Sequence, residues 1–236
     1  MLIWDIPAAS AGQACAIRYM EAMVLIGRYR SPFTRRVAIS LRLLGIAYEH
    51  RPHTAWRNLQ EVRAANPVGR VPALILDCGE HLFDSSAILD YLDQIAGPER
   101  ALVPLREPQR HRVLRVTACA LGALEKVVAA LYEQTMHPPE KVHQPWIAHN
   151  EGQARSALEW LASLPVSPWL AGDSLTQADV TTVVMYDFTR IVNPRLAPDG
   201  RYPSIDELAA RCNDLPAFAE TRPVGEVDQA NPALPT

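Results

Sequence analysis

The sequence predicts an α+β domain built on a small mixed sheet, followed by an all-α domain. Three observations carry this reading. Strand-like runs occur only ahead of Asp84. From Val113 onward the apolar residues keep helical spacing, and no strand pattern returns. Between the two regions lies a stretch bearing Pro98, Pro104 and Pro108, the kind of segment that joins domains.

The elements follow in order. Val24 to Tyr29 reads as a strand ending near Arg30. Ser31-Pro32 then opens a helix, because serine is a favoured N-cap and proline suits the first helical turn. Val37, Ile39, Leu41, Leu43 and Leu44 give that helix its apolar bulk, and Gly45 stops it. Ile46 to Arg51 is a short strand, and 54–65 is weakly helical. Asn66-Pro67-Val68-Gly69 is a turn. Ala73 to Leu76 and His81 to Phe83 flank Asp77-Cys78-Gly79-Glu80 as a hairpin. Ser85 to Ala96 is a helix with Ile88, Leu89, Leu92 and Ile95 on one face. The order is βαβ followed by ββα, the thioredoxin topology. A long helix begins near Glu107, and others are expected at 140–164, 176–191 and 204–220. The predicted organisation is an extension over 1–22, a thioredoxin-like domain over 23–98, a linker over 99–106, a helical domain over 107–221 and a tail over 222–236.

Composition limits the function. With 236 residues and 48% hydrophobic content the chain can bury two modest cores. A net charge of -3 and scattered arginines argue against a nucleic-acid partner. Cys15, Cys78, Cys119 and Cys212 have no metal-ligand spacing, so neither a metal nor a disulfide framework is expected, and reduced thiols point to the cytoplasm. No run approaches the roughly 20 apolar residues of a membrane span. Residues 1–22 lack the basic start and apolar core of a signal peptide, and read as a loose extension ahead of Met23.

Three motifs carry chemistry or its scaffold. Tyr29-Arg30-Ser31-Pro32-Phe33-Thr34 places a hydroxyl at a helix N-terminus, where unpaired amides and the positive dipole end favour an anion. A thiolate held there is stabilised, although Ser31 read alone is an ordinary N-cap. Asn66 to Leu74, continuing to Phe83-Asp84-Ser85-Ser86-Ala87-Ile88-Leu89, joins an X-Pro step at Val71-Pro72 to a second helix start. Leu170-Ala171-Gly172-Asp173-Ser174-Leu175-Thr176-Gln177-Ala178-Asp179 contains a capping box, Thr176 with Asp179, flanked by Leu175 and Val180 at the staple positions. No chemistry is assigned to Asp179.

In this order the three motifs resemble those of the glutathione transferase superfamily, over residues 23 to about 220. The resemblance implies the glutathione transferase fold, with glutathione as co-substrate and a small hydrophobic electrophile or peroxide as second substrate. It implies Ser31 as the group that activates the thiol, with Thr34 and Tyr29 as alternative hydroxyls. Glutathione contacts are implied at Phe33, Arg70, Val71, Pro72, Asp84 and Ser85. The backbone of Val71, before a cis Pro72, would pair with the cysteinyl unit, and Asp84 and Ser85 would take the γ-glutamyl end. Arg70, His53 and Arg57 are candidates for the glycyl carboxylate. The electrophile pocket is placed near Phe33, Tyr132, Met136 and Trp146. A homodimer is expected, with modest support from extra apolar positions such as Val128 and Ala130. Ser31 in place of cysteine argues against disulfide reduction through a protein thiol. Phe33 stands where zeta-type isomerases carry cysteine, which weighs against a maleylacetoacetate isomerase. The alternatives are a noncatalytic binding or regulatory protein and a glutathione-dependent isomerase or reductase.

Overall fold

The computed structural model describes residues 22–223. The expectations placed on the segment ahead of residue 22 and on the tail beyond 223 lie outside them.

The sheet has four strands in the order β2-β1-β3-β4. Its centre is β1 (Met23–Ile26), parallel to β2 (Tyr48–Arg51) and antiparallel to β3 (Ala73–Ile75), which pairs antiparallel with β4 (His81–Leu82). β1 stops short of the expected Tyr29 because Gly27 leaves the extended region at φ +133°. A side chain there would place Cβ 2.3 Å from Thr34 Oγ1, so only glycine lets the strand turn into the next helix.

Two helices, α1 (Pro32–Leu43) and α3 (Ser85–Ala96), cover one face of the sheet. There Val37, Ala38 and Leu41 close with Leu25, Leu74, Ile88 and Leu92 into one core. On the other face α2 (Leu59–Ala65) brings Val62 and Ala65 against Ile26 and Ala73. This helix is shorter than the pattern over 54–65 suggested. Thr54 and Asn58 hold the preceding turn instead: the Thr54 amide donates to Asn58 Oδ1 at 3.3 Å, and the Arg57 amide to Thr54 Oγ1 at 3.0 Å.

The second half is helical: α4 (Gln109–Met136), a 3-10 turn (Pro139–Lys141), α5 (Gln144–Ala162), α6 (Gln177–Val192), α7 (Pro203–Asn213) and α8 (Pro216–Ala219). The single helix expected over 204–220 is two, because Pro216 disfavours helical backbone at Leu215, which is extended at ψ 137°. α6 is the central post, with Val180, Val183, Val184 and Met185 all buried. Its start is held by Asp179, which is fully buried. The carboxylate accepts from the Thr176 amide at 2.9 Å, the Thr176 hydroxyl at 3.0 Å and the Leu170 amide at 2.8 Å. The predicted capping box is present and also fastens the preceding loop.

The two halves are latched through α1. Arg35 donates to Asp187 on α6 at 2.7 Å and to Asn213 on α7 at 3.2 Å, and the Ser40 hydroxyl donates to Gln177 Oε1 at 3.0 Å. Arg42 pairs with Glu220. Asp93, near the end of α3, accepts from the amides of Leu102 and Val103, and the Leu102 carbonyl in turn takes the Gln177 amide. The helix that begins at Ser31 is thereby tied to both domains.

Candidate active site

Ser31 caps α1 in an extended conformation, its Oγ accepting from the Thr34 amide at 3.4 Å. Because the oxygen only accepts in that bond, the hydroxyl proton is left for another partner. The side chain lies on the wall of a cleft of about 560 Å³ between the two halves. Phe33, Val71, Val128, Leu131, Met136, Phe188, Ile191 and Val192 form its apolar surface. His53, Arg57 and Arg70 line the cleft as well, together with Arg28, Arg30, Trp56 and Tyr132. Trp56 meets Tyr132 edge to face with centroids 6.4 Å apart, bridging the loop before α2 and the end of α4. Burial pushes the Tyr132 hydroxyl up, and nearby Arg70 pulls it back.

The structure therefore gathers Ser31, Phe33, Arg70, Val71, Tyr132 and Met136 around one cleft. The fallback hydroxyls are elsewhere. Tyr29 bonds Tyr48 hydroxyl to hydroxyl at 2.9 Å and stacks on His50, and burial raises its phenol further. Thr34 is fully buried, packed against Gly27. Trp146 is also misplaced by the sequence reading: it sits exposed on α5, stacked on His149, and does not line the cleft. Val128 and Ala130 do not make a second outward face, since Val128 lines the cleft and Ala130 is buried in the helical core. Trp56, Arg28 and Arg30 were missed, and the only signal for Trp56 was an aromatic side chain in a polar turn.

Pro72, Asp84 and Ser85 do not line the cleft. Val71-Pro72 is a cis peptide, in agreement with the resemblance, and the loop before it is shaped by Asn66, which donates to the Arg70 carbonyl at 2.8 Å and accepts from the Val68 amide at 3.0 Å. Asp84 caps α3 through the Ser86 amide at 2.7 Å and remains exposed. Ser85 is buried at 1% exposure, and its hydroxyl has no hydrogen-bond partner. An unmet hydroxyl at a helix start is suited to a carboxylate. Among the described residues, no group of three or more His, Cys, Asp or Glu is gathered for a metal ion, and no helix is long and apolar enough to cross a membrane.

Residues 25–100 match the family model for the glutathione S-transferase N-terminal domain. Maleylacetoacetate isomerase of Pseudomonas aeruginosa is 36% identical over 216 residues, covering 87% of this chain and 98% of that protein. The chain belongs to the glutathione transferase superfamily. Its fold is the glutathione transferase fold: a crystal structure of a glutathione S-transferase from Methylobacillus flagellatus with glutathione bound superposes with a TM-score of 0.81 at 25% identity, covering 86% of this chain and all of that one. A zeta-class glutathione S-transferase of Euphorbia esula is 27% identical, covering 88% of this chain and 93% of that one. The weight that Phe33 placed against an isomerase is offset by these relatives. Within the superfamily, this member keeps a serine at the helix start and an apolar cleft with arginines among its lining residues.

Proposed function

We propose that this chain is a glutathione transferase that binds glutathione between the N-termini of α1 and α3 and ionises its thiol with Ser31. The observation that carries the reading is the Ser31 hydroxyl at the mouth of α1, on the wall of a 560 Å³ cleft large enough for a small second substrate. A free thiol titrates near 8.5, and a drop of about two units, or about 2.7 kcal/mol, makes most of it nucleophilic at neutral pH. One charge-assisted hydrogen bond with a helix terminus supplies that much. Glutathione's cysteinyl backbone pairs with Val71, just ahead of β3. Its γ-glutamyl end lies at Asp84 and Ser85, outside the cleft, and its glycyl end runs toward Arg70, His53 and Arg57. The thiolate then attacks an electrophilic carbon or a peroxide oxygen held against Phe33, Tyr132 and Met136.

A glutathione-dependent isomerase is the second reading, favoured by the relatives that carry that name over nearly their whole length. The same thiolate would add to a conjugated alkene, allow rotation, and leave again. The joint presence of Ser31, Val71-Pro72 and Asp84-Ser85 supports an enzyme over a noncatalytic binding protein. The protein acts in the cytoplasm, as its cysteine usage implies, and as a homodimer, as the superfamily resemblance implies.

The test is a substrate panel of halonitrobenzenes, hydroperoxides, isothiocyanates and a cis-configured conjugated keto acid, with the Ser31→Ala variant beside the wild type. Ser31→Ala is expected to keep glutathione binding, lose turnover, and raise the bound thiol's pKa in ultraviolet titration. An unchanged titration would move the role from the hydroxyl to the α1 amides.

A further inference from the structure

Residues of β2 hold the turn that carries Ser31. The Gly27 amide donates to the Arg51 carbonyl at 2.9 Å. The Gly27 carbonyl lies 2.8 Å from His50 Nε2. A carbonyl only accepts, so the imidazole carries its proton on that nitrogen and donates it there. Tyr29 lies flat on the His50 ring, with centroids 4.0 Å apart and planes 2° from parallel. Its hydroxyl meets the Tyr48 hydroxyl at 2.9 Å. Tyr48 and His50 share one half-buried face of β2, because side chains alternate along a strand. His50 thus grips the turn twice, on either side of Arg28. The Arg28 carbonyl then closes the turn by accepting from the Ser31 amide at 3.0 Å.

The need for such a grip comes from Gly27. Close packing on Thr34 excludes any side chain at that position, yet glycine restrains its own backbone less than any other residue. A soft joint therefore lies directly ahead of the turn that sets the angle of Ser31. One bond to the Gly27 carbonyl and one ring against Tyr29 replace the restraint that a Cβ would have given. We infer that His50 is a positioning residue for the Ser31 hydroxyl: its Nε2–H fixes the Gly27 peptide and its ring seats Tyr29, so that the turn offers Ser31 to the cleft at one angle. This rests on the reading that Ser31 ionises the thiol of glutathione. His50 does not line the cleft, and no proton of the reaction passes through it. A histidine that merely packed would show only in stability, whereas one that sets the angle of the serine shows in the thiol.

The experiment sets wild type beside His50→Gln, His50→Asn and His50→Phe. Glutathione binding is read by calorimetry, the bound thiol by ultraviolet titration, and kcat with the panel substrate that the wild type converts fastest. The glutamine carboxamide can place a donor where Nε2 stands, and the asparagine one falls a methylene short. Phenylalanine keeps the stacked ring and has no donor. His50→Asn and His50→Phe should lower kcat about 10- to 100-fold, as for a misplaced catalytic group. They should also raise the midpoint of the thiol by about one pH unit or more and leave glutathione Kd within about 3-fold. His50→Gln should recover most of both losses. A merely structural histidine would lower Tm in all three variants while kcat and the midpoint stayed put, and that result overturns the inference. So does a His50→Gln as impaired as His50→Asn, because the bond to Gly27 would then carry no weight. If His50→Asn does not fold, His50→Phe, which preserves the packed ring, decides on the same two readouts. Failure of the wild type to bind glutathione would overturn the functional reading and this inference together. A midpoint raised in Ser31→Ala but unmoved in His50→Asn and His50→Phe would overturn this inference alone.

Discussion

Replacing Asp179 with alanine removes one carboxylate but strands three donors. The amides of Leu170 and Thr176 and the Thr176 hydroxyl all end on its two oxygens. Both donor residues are buried, so water cannot replace the lost acceptor. An ordinary exposed cap costs about 1 kcal/mol when removed. Stranded buried donors cost about 1–3 kcal/mol each. Removal also relieves a burial cost, since desolvation lifts the Asp179 carboxyl above its usual range. The net expectation is about 3–5 kcal/mol, read from urea unfolding at pH 7 with an unchanged m-value. The same shift fixes a pH signature. A raised folded pKa means the native state holds a proton that the unfolded chain has released. Wild-type stability relative to Asp179→Asn should therefore be greatest below the unfolded carboxyl pKa of about 4 and fall as pH rises through the folded value. A loss below about 1 kcal/mol in Asp179→Ala would refute the stranded-donor argument. Intact stability with lost activity in Asp179→Asn would refute the structural assignment.

Further outcomes are expected elsewhere. Gly27→Ala, with its Cβ 2.3 Å from Thr34 Oγ1 and an unfavourable φ, should lower stability by about 3 kcal/mol or more by thermal unfolding; a Tm within a degree of wild type would count against the strained turn. Among the described cysteines, exposed Cys78 should be alkylated first at pH 8, while buried Cys212, its thiol pushed up to about 12, stays unlabelled until the protein unfolds. Mass analysis of adducts checks the order, and equal labelling would contradict the burial of Cys212. Asp84→Ala should raise the glutathione KM with little change in kcat, and a selective loss of kcat would place Asp84 in the chemistry instead. Light scattering at low micromolar concentration should give twice the 26.2 kDa chain mass; a single species at the chain mass would remove the dimer.

The parts of the fold written in local chemistry were legible. Ser31-Pro32 starts α1, Thr176 and Asp179 start α6, and alternation with turn residues marks β3 and β4. Termini set by tertiary contact were not. β1 is cut short by Thr34 packing on Gly27, and the helix over 204–220 is divided at a proline whose weight was underestimated. In the cleft, Tyr132 and Met136 followed from position along α4, whereas Trp146, one helix later, points away. Aromatic identity does not reveal which way a helix face turns.

The interdomain latch has a consequence for recombination of this scaffold. Because Arg35 and Ser40 lie on the helix capped by Ser31, their partners Asp187, Asn213 and Gln177 in the helical half set the tilt of the turn that presents Ser31. A helical domain grafted from another member would bring a new cleft but break those registrations. Such a chimera would present its hydroxyl at a displaced angle even with every first-domain residue intact. Specificity grafting in this protein therefore has to transplant the three latch partners along with the cleft wall.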